Sequence, residues 1–274
     1  AGAPVLKRAI PVAIGLVDLI GWTLVFLLLG ALFLACVGLV FWCDEPEHPP
    51  VPRASLRAAV VEPLGAFFRR SDAIPIALFL IFYKFGDNMA GTMVNPFLKD
   101  LCFSNAEIGL MVKTIGTAAT IAGAGAGAAL MTRLGIGRAL WIFGFAPAGG
   151  NVLYSLAAAT HPGATDVLLC GGASVSAATR AATYLAVAGE YASQGMATSA
   201  LLAYITRLCD RRYSATQYAL LTSLMAVTRV IVGAPTGFVA KTYGWETYFV
   251  ISAIAAIPGL LLLLRYDRWK APSV

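Results

Sequence analysis

Residues 73–98 read AIPIALFLIFYKFGDNMAGTMVNPFL, an apolar run that is interrupted near its middle by Lys84 and Asp87. A helix rises ~1.5 Å per residue, so these two charges lie roughly 15–20 Å along the run. That depth is close to the midplane of a bilayer whose hydrocarbon core is ~30 Å thick. Because a charge there costs at least ~2.5 kcal/mol on insertion scales, it is expected to face a partner or a water-filled path. The stretch therefore predicts a membrane-spanning helix that carries part of a transport site.

The composition of the whole chain agrees with a membrane environment. Hydrophobic residues make up 59% and charged residues 12% of the sequence, whereas roughly a quarter of the residues in an average soluble domain are charged. A spanning helix needs about 20 mostly apolar residues, and backbone groups in lipid must be paired within the element. The predicted spans are residues 21–42, 73–98, 108–131, 139–159, 184–204, 218–240 and 245–264. We therefore predict an all-α polytopic membrane protein with seven spans.

The formal net charge of +6 follows the connections between these spans. Four connections hold twelve basic residues: Arg53, Arg57, Arg69 and Arg70; Arg133 and Arg138; Arg207, Arg211 and Arg212; Arg265, Arg268 and Lys270. The intervening connections hold only Lys99, Arg180 and Lys241. This alternation is typical of the positive-inside rule, which predicts a cytoplasmic 43–72 connection and a cytoplasmic C-terminus. The lipid bilayer is thus the expected partner of the chain, and no nucleic acid is expected.

Composition divides the chain into four parts. They are residues 1–42 with a partial and a full span, a proline-rich linker at 43–72, a six-helix bundle at 73–265 and a tail at 266–274. Proline density and charge favour an extended, solvated linker. Residues 160–183 are predicted to form an external loop with an interfacial or partly re-entrant helix. Residues 9–17 resemble the end of a preceding span, so we expect the chain to be a piece of a longer polypeptide.

Polar residues follow helical spacing on four of the six helices in the bundle. They are Lys84, Asp87, Asn88 and Asn95 on the first helix, Lys113 on the second, Glu190, Tyr191 and Gln194 on the fourth, and Arg229 on the fifth. The third and sixth helices carry no charge in their interiors. This pattern predicts a cavity that is lined by four helices and backed by two. Its three cations exceed its two carboxylates by one charge, a balance that suits an anionic solute.

Two of these residues are candidates for binding a coupling proton. A carboxylate in a low-dielectric site can bind and release a proton near neutral pH. Asp87 has Lys84 one turn away, whereas Glu190 has no cation adjacent in sequence, so we favour Glu190. Purely structural roles stay open for the Lys84–Asp87 pair and for Arg229, which can bond backbone carbonyls or Glu190. Lys113 can also extend to the nearby external interface.

Other chemistries find little support in the sequence. The five cysteines are scattered without metal-ligand spacing or a paired pattern, and no Ser/His/Asp set or nucleophile elbow is present. Gly123 and Gly127 form a GxxxG spacing in an apolar segment, which predicts close helix packing and not a dinucleotide site. We therefore expect neither an enzyme nor a metal site, and no cofactor apart from the proton gradient.

Short stretches distributed over residues 21–264 carry a family resemblance. They are YKFGD at 83–87, PFL at 96–98, FS at 103–104, EIG at 107–109, RAL at 138–140, IFG at 142–144, GMATSA at 195–200, LCDRRYSATQYALL at 208–221, RV at 229–230 and PGLLLL at 258–263. Through these stretches the sequence resembles the AmpG-type muropeptide permeases of the major facilitator superfamily. Residues 131–138 lack the acidic residue of the corresponding superfamily loop.

The resemblance implies a twelve-helix transporter, of which this chain holds the second half and the last span of the first. It implies proton-coupled import of anhydromuropeptides across the bacterial inner membrane for cell-wall recycling, by alternating access, with the missing N-terminal half as partner. Lys84, Lys113 and Arg229 would then attract the carboxylates of the sugar-peptide. The amide and hydroxyl groups of Asn88, Asn95, Tyr191 and Gln194 would bind its polar groups. Two alternatives stay open: an acetyl-coenzyme A type or other organic-anion carrier, and a membrane scaffold without transport activity.

Overall fold

The computed structural model describes residues 3–42, 56–159, 175–210 and 213–266, and the regular elements in these ranges are all helical. In chain order they are α1 (Ala3–Trp42), α2 (Leu56–Phe68), α3 (Ala73–Tyr83), α4 (Phe85–Asp100), α5 (Asn105–Ile108), a π-helix (Gly109–Ile115), α6 (Gly116–Leu134), α7 (Ile136–Ala159), α8 (Ala177–Leu208), α9 (Ser214–Ala255), α10 (Ile257–Leu262) and a 3₁₀-helix (Leu263–Arg265). They fall into two compact units, residues 1–54 and residues 55–274. The all-α prediction is confirmed.

Five helical segments of the described ranges are long and apolar enough to cross a membrane. They are Thr23–Trp42, Ala73–Asp100, Asn105–Leu134, Ile136–Ala159 and Ser214–Arg265. The last contains two predicted spans, which meet at Gly244, where a φ of 76° requires the left-handed conformation that glycine adopts readily. The predicted span at 184–204 lies inside α8, whose carboxyl, amide and hydroxyl side chains lower its hydropathy. A helix therefore occupies each of the seven predicted positions, although α8 is too polar to count among the five.

The first span of the 55–274 unit is interrupted at Lys84, whose φ of −99° and ψ of 6° separate α3 from α4. Lys84 ends α3 and Asp87 lies in the first turn of α4. Each charge is thus at the helix end whose dipole favours it. Glycine brings the last span close to this point, because a Cβ on Gly86 would lie 2.5 Å from the Ser252 carbonyl oxygen. Helix α9 therefore packs against the interruption.

Helices α6 and α8 pack backbone against backbone. A Cβ on Gly123 would overlap the carbonyl oxygen of Ala192, and one on Gly195 would overlap the carbonyl oxygen of Thr120. A Cβ on Gly127 would lie 2.9 Å from the Cα of Met196. The prediction of close packing from the GxxxG spacing is confirmed, since small residues let helix axes approach in this way.

The region predicted as an extended linker contains the helix α2. Phe67 of α2 is 1% exposed, and the Gln217 side-chain amide donates a 3.3 Å hydrogen bond to the carbonyl oxygen of Pro63. Burial of its apolar side chains against the bundle, and not its local composition, stabilises this helix. The prediction of an extended chain is therefore wrong for residues 56–68, whereas residues 43–55 lie outside the described part.

At the end of the 55–274 unit away from α2, side chains join alternate connections. Arg180 pairs with Glu107 at 2.6 Å, and the Trp245 indole N–H donates a 2.9 Å hydrogen bond to Asp100. Cys102 is disulfide-bonded, although the cysteine spacing showed no pairing. The predicted re-entrant helix after residue 160 lies largely outside the described residues.

Candidate functional site

A polar layer divides the interior of the 55–274 unit into two apolar clusters. On the α3–α4 segment one cluster ends at Tyr83 and the other begins at Met89, with Lys84 and Asp87 between them. On the other helices the clusters are separated in the same way by Asn151 in α7, Glu190 in α8, and Thr228 and Arg229 in α9. Four helices therefore bring polar side chains to one level of an otherwise apolar bundle.

Lys84 and Asp87 form a buried ion pair in this layer. The Lys84 Nζ lies 2.6 Å from the Asp87 Oδ2, and the two side chains are 7% and 5% exposed. A buried pair loses the hydration of both ions, so its geometry and its surroundings decide whether it stabilises the fold. The charges of both residues act on Glu190. These three ionisable side chains thus form one electrostatic group.

Glu190 is 2% exposed, and neither of its carboxyl oxygens has a hydrogen-bond partner within the described part of the chain. The alternative in which Arg229 is bonded to Glu190 is therefore not the arrangement in this structure. The carboxyl group lies against α7, because a Cβ on Gly150 would overlap Glu190 Oε2. Of the two carboxylates of the layer, Asp87 accepts a hydrogen bond from Lys84, whereas Glu190 accepts none from the described residues.

A cavity of about 330 Å³ opens onto the polar layer. Seven of the nine predicted site residues line it, namely Lys84, Asp87, Asn88, Glu190, Tyr191, Gln194 and Arg229, and Gly91, Thr92, Val94 and Thr198 complete its wall. Ligand pockets commonly measure ~300–1,000 Å³. The uncharged hydrogen-bonding side chains of the wall come from α4 and α8. Its two cations are Lys84, which precedes α4, and Arg229, which lies in α9. The walls can therefore hold a polar solute with negative groups.

Two predicted site residues, Lys113 and Asn95, do not line this cavity. Lys113 is exposed and lies in the π-helix Gly109–Ile115, and Asn95 is exposed on α4. A π-helix bonds i to i+5, so the α-helical spacing that was used to align Lys113 with its neighbours does not apply there. Without Lys113, the two cations and two carboxylates of the wall balance when all are ionised.

The sequence reasoning missed Asn151 and Thr92. Asn151 is 1% exposed and has no hydrogen-bond partner among the described residues for either side-chain polar atom. Its signal was a lone amide in the apolar helix α7, which was assigned to the backing of the bundle.

Within the described ranges, no group of three His, Cys, Asp or Glu side chains is arranged to hold a metal ion.

Comparison with known proteins places this site in a family. The model of the Major Facilitator Superfamily matches residues 9–200. The chain is 39% identical over 247 residues to the anhydromuropeptide permease of Escherichia coli K12, and the aligned region covers 89% of this chain and 47% of that protein. It is 30% identical over 252 residues to the putative transporter AmpG 4 of Rickettsia felis, and this aligned region covers 90% of the chain and 57% of the relative. The chain spans about half the length of these curated relatives.

The relatives confirm the resemblance to AmpG-type permeases, and they agree with a multi-span membrane protein whose helices surround a polar cavity. The family model extends from α1 through most of α8 and so includes the Lys84–Asp87 pair and Glu190. The chain therefore belongs to the major facilitator superfamily of membrane transporters.

Proposed function

We propose that the protein of which this chain is a part is a proton-coupled secondary transporter. It imports anhydromuropeptides, which are sugar-peptide fragments of peptidoglycan, across the bacterial inner membrane for cell-wall recycling. The substrate class is taken from the name of the E. coli relative. The observation that carries the transport mechanism is the cavity in which the buried Lys84–Asp87 pair and Glu190 meet.

The cavity walls suit the parts of such a substrate. Arg229 and Lys84 attract carboxylates of the peptide, while Asn88, Tyr191 and Gln194 hydrogen-bond hydroxyl and amide groups. A site next to an interrupted helix is common in secondary transporters, because the freed helix ends add partial charges. Lys113 and Asn95, which are exposed outside this cavity, are proposed to contact substrate together with the second helical half that the family resemblance implies.

Glu190 is the proposed carrier of the coupling proton, with Asp87 as the second candidate. Asp87 already accepts the Lys84 hydrogen bond at 2.6 Å, so protonating it would break a buried pair. Glu190 has no such bond within the described residues. Protonation of Glu190 leaves the cavity wall with one excess positive charge, which favours entry of an anionic solute.

The test uses the full-length protein in proteoliposomes with labelled anhydromuropeptide. We expect an inward proton gradient to drive accumulation, and Glu190→Gln to abolish it while substrate counterflow continues. Glu107→Gln is the matched control, because this carboxylate is paired with Arg180 at the exposed end of the unit. Uptake that ignores Glu190→Gln, Asp87→Asn and collapse of the gradient would refute the proposal. Competition by acyl-coenzyme A would favour the carrier of that class.

We further propose that α2 and the C-terminus lie in the cytoplasm. The twelve basic residues of alternate connections support this orientation. Accessibility of a C-terminal tag to protease in right-side-out and inverted vesicles tests it, and digestion in right-side-out vesicles alone would contradict it.

A further inference from the structure

Four buried side chains in α7 and α8 leave polar atoms without hydrogen-bond partners among the described residues. Tyr204 lies about four turns beyond Glu190 on α8, and the other three lie within one section of the α7–α8 contact. The atoms of these three are both side-chain polar atoms of Asn151, the hydroxyl of Tyr154 and both carboxyl oxygens of Glu190. The three residues are 1%, 0% and 2% exposed. Buried polar groups in folded proteins are nearly always hydrogen-bonded, and each exception calls for a physical reason. Such a concentration at one helix contact indicates a network with more than one arrangement.

The contact between α7 and α8 places these groups at one level. Gly150 allows the Glu190 side chain to lie against α7, since a Cβ there would overlap Glu190 Oε2 and would lie 3.1 Å from the Glu190 Cα. One turn further, a Cβ on Gly189 would contact Leu153 at 3.6 Å. Asn151 follows Gly150 directly, and Tyr154 is one turn beyond it. The amide and the carboxyl therefore share the same short section of the interface.

The chemistry of these groups depends on the proton of Glu190. A neutral carboxyl has one O–H donor and one carbonyl acceptor, and the Asn151 amide has the matching N–H donor and carbonyl acceptor. In such a pair the carboxyl O–H donates to the amide oxygen and the amide N–H donates to the carboxyl C=O oxygen, so both oxygens of Glu190 and both polar atoms of Asn151 are hydrogen-bonded. An ionised carboxylate only accepts, so it leaves the Asn151 oxygen unpaired and is better matched by the Lys84 ammonium.

We propose that Asn151 is a positioning residue for Glu190. It holds the neutral carboxyl against α7 through a pair of hydrogen bonds, whereas the ionised carboxylate turns towards Lys84 in the cavity. The proton arrives at Glu190 from the cavity and returns there. The other ionisable groups around Glu190 are Asp87 on α4, Arg229 of the cavity wall, Tyr191 on α8 and Tyr154 on α7. The role in coupling rests on the proposed function, but the pairing itself does not depend on the substrate.

Infrared difference spectroscopy of the full-length protein in liposomes, recorded between acid and alkaline pH, tests the pairing directly. The carbonyl band of neutral Glu190 is assigned by its loss in Glu190→Gln. Asn151→Leu and Asn151→Ser each remove the amide donor, so we expect this band to move to higher wavenumber. Asn151→Gln supplies an amide again and should leave the band closer to its wild-type position. The two amide-free variants differ in size, so that one remains measurable if the other fails to fold.

Thr183→Val is the matched control for these variants. Thr183 is fully buried two turns before Glu190 on α8, and its hydroxyl donates a 2.7 Å hydrogen bond to Thr179 on the same helix. Its removal is expected to leave the Glu190 band in place. Gradient-driven uptake should fall roughly tenfold in the amide-free variants, the factor for about one lost buried hydrogen bond, while counterflow continues.

The possible results separate the two proposals. A Glu190 band that stays in place in both amide-free variants overturns the pairing, and so does the lack of any band that depends on Glu190. A band that moves as expected in a protein whose wild-type uptake ignores the proton gradient supports the pairing and refutes the proposed coupling.

Discussion

Removing one or both members of the Lys84–Asp87 pair should reveal how strongly the two charges depend on each other. Both side chains are buried and their charged atoms are 2.6 Å apart. Truncating one partner leaves the other as an uncompensated buried charge, which typically costs ~3–5 kcal/mol. We expect Lys84→Met to be the more damaging change, because it leaves Asp87 facing the Glu190 carboxyl. Asp87→Asn leaves Lys84 with Glu190 still within electrostatic range.

The double variant Lys84→Met/Asp87→Asn should be more stable than the sum of the single changes implies. Replacing a whole buried pair by uncharged side chains of similar size is often close to neutral. Residues in direct contact show interaction energies of ~0.5–3 kcal/mol in double-mutant cycles, and we expect a value in the upper part of this range. The measurement is thermal unfolding of the purified full-length protein in detergent for the wild type, both single variants and the double variant.

Arg180→Met provides the control for distance. The Arg180–Glu107 pair has the same 2.6 Å separation, but its side chains are 47% and 27% exposed. Exposed pairs contribute little to stability, so we expect no measurable change in the unfolding temperature. Additive losses in the double variant, or a loss in Arg180→Met as large as in Lys84→Met, would refute the reasoning that burial couples the two charges.

Three further predictions concern packing and chemistry elsewhere in the 55–274 unit. Gly123→Ala forces a methyl group into the α8 backbone and should cost ~1–3 kcal/mol, whereas Gly125→Ala meets open space and should unfold like the wild type; equal unfolding of both variants would contradict this. Gln217→Leu removes the hydrogen bond that the Gln217 amide donates to the Pro63 carbonyl oxygen of α2, so amide hydrogen exchange in α2 should accelerate, and unchanged exchange would count against this role. Burial raises the pKa of the Cys209 thiol, and the Arg70 guanidinium partly lowers it again. At pH 8, maleimide should therefore modify Cys209 more slowly than a free cysteine, and still more slowly in Arg70→Gln. Faster modification in Arg70→Gln would contradict this effect of Arg70 on the thiol.

Helix positions and most of the residues that line the cavity were predictable from the sequence because their signals are local. An apolar run of about 20 residues has few alternatives to a spanning helix. A charge inside such a run, as at Lys84 or Glu190, must face the interior, so helical spacing was enough to bring these side chains to one cavity. The glycine spacing of α6 worked for the same reason, since a missing side chain decides how closely a second helix approaches.

The features that escaped prediction depend on contacts or on a change of helical period. The π-helix alters the spacing on which the placement of Lys113 relied. Helix α2 forms in a charged, proline-containing region because Phe67 finds a buried position on the bundle. Asn151 carries no pattern of its own, and its importance follows only from its place beside Gly150 and Glu190. Sequence periodicity describes one helix at a time, whereas these features arise between helices.

Lys84 is both the residue that interrupts the first helix of the bundle and the cation of the buried pair. A substitution at Lys84 therefore acts on the buried pair and at the helix interruption at the same time. One residue thus affects both the shape of the cavity wall and its charge. Divergence of this site towards a neutral solute would therefore involve Asp87 as well as Lys84, because removing one charge leaves the other buried without its partner.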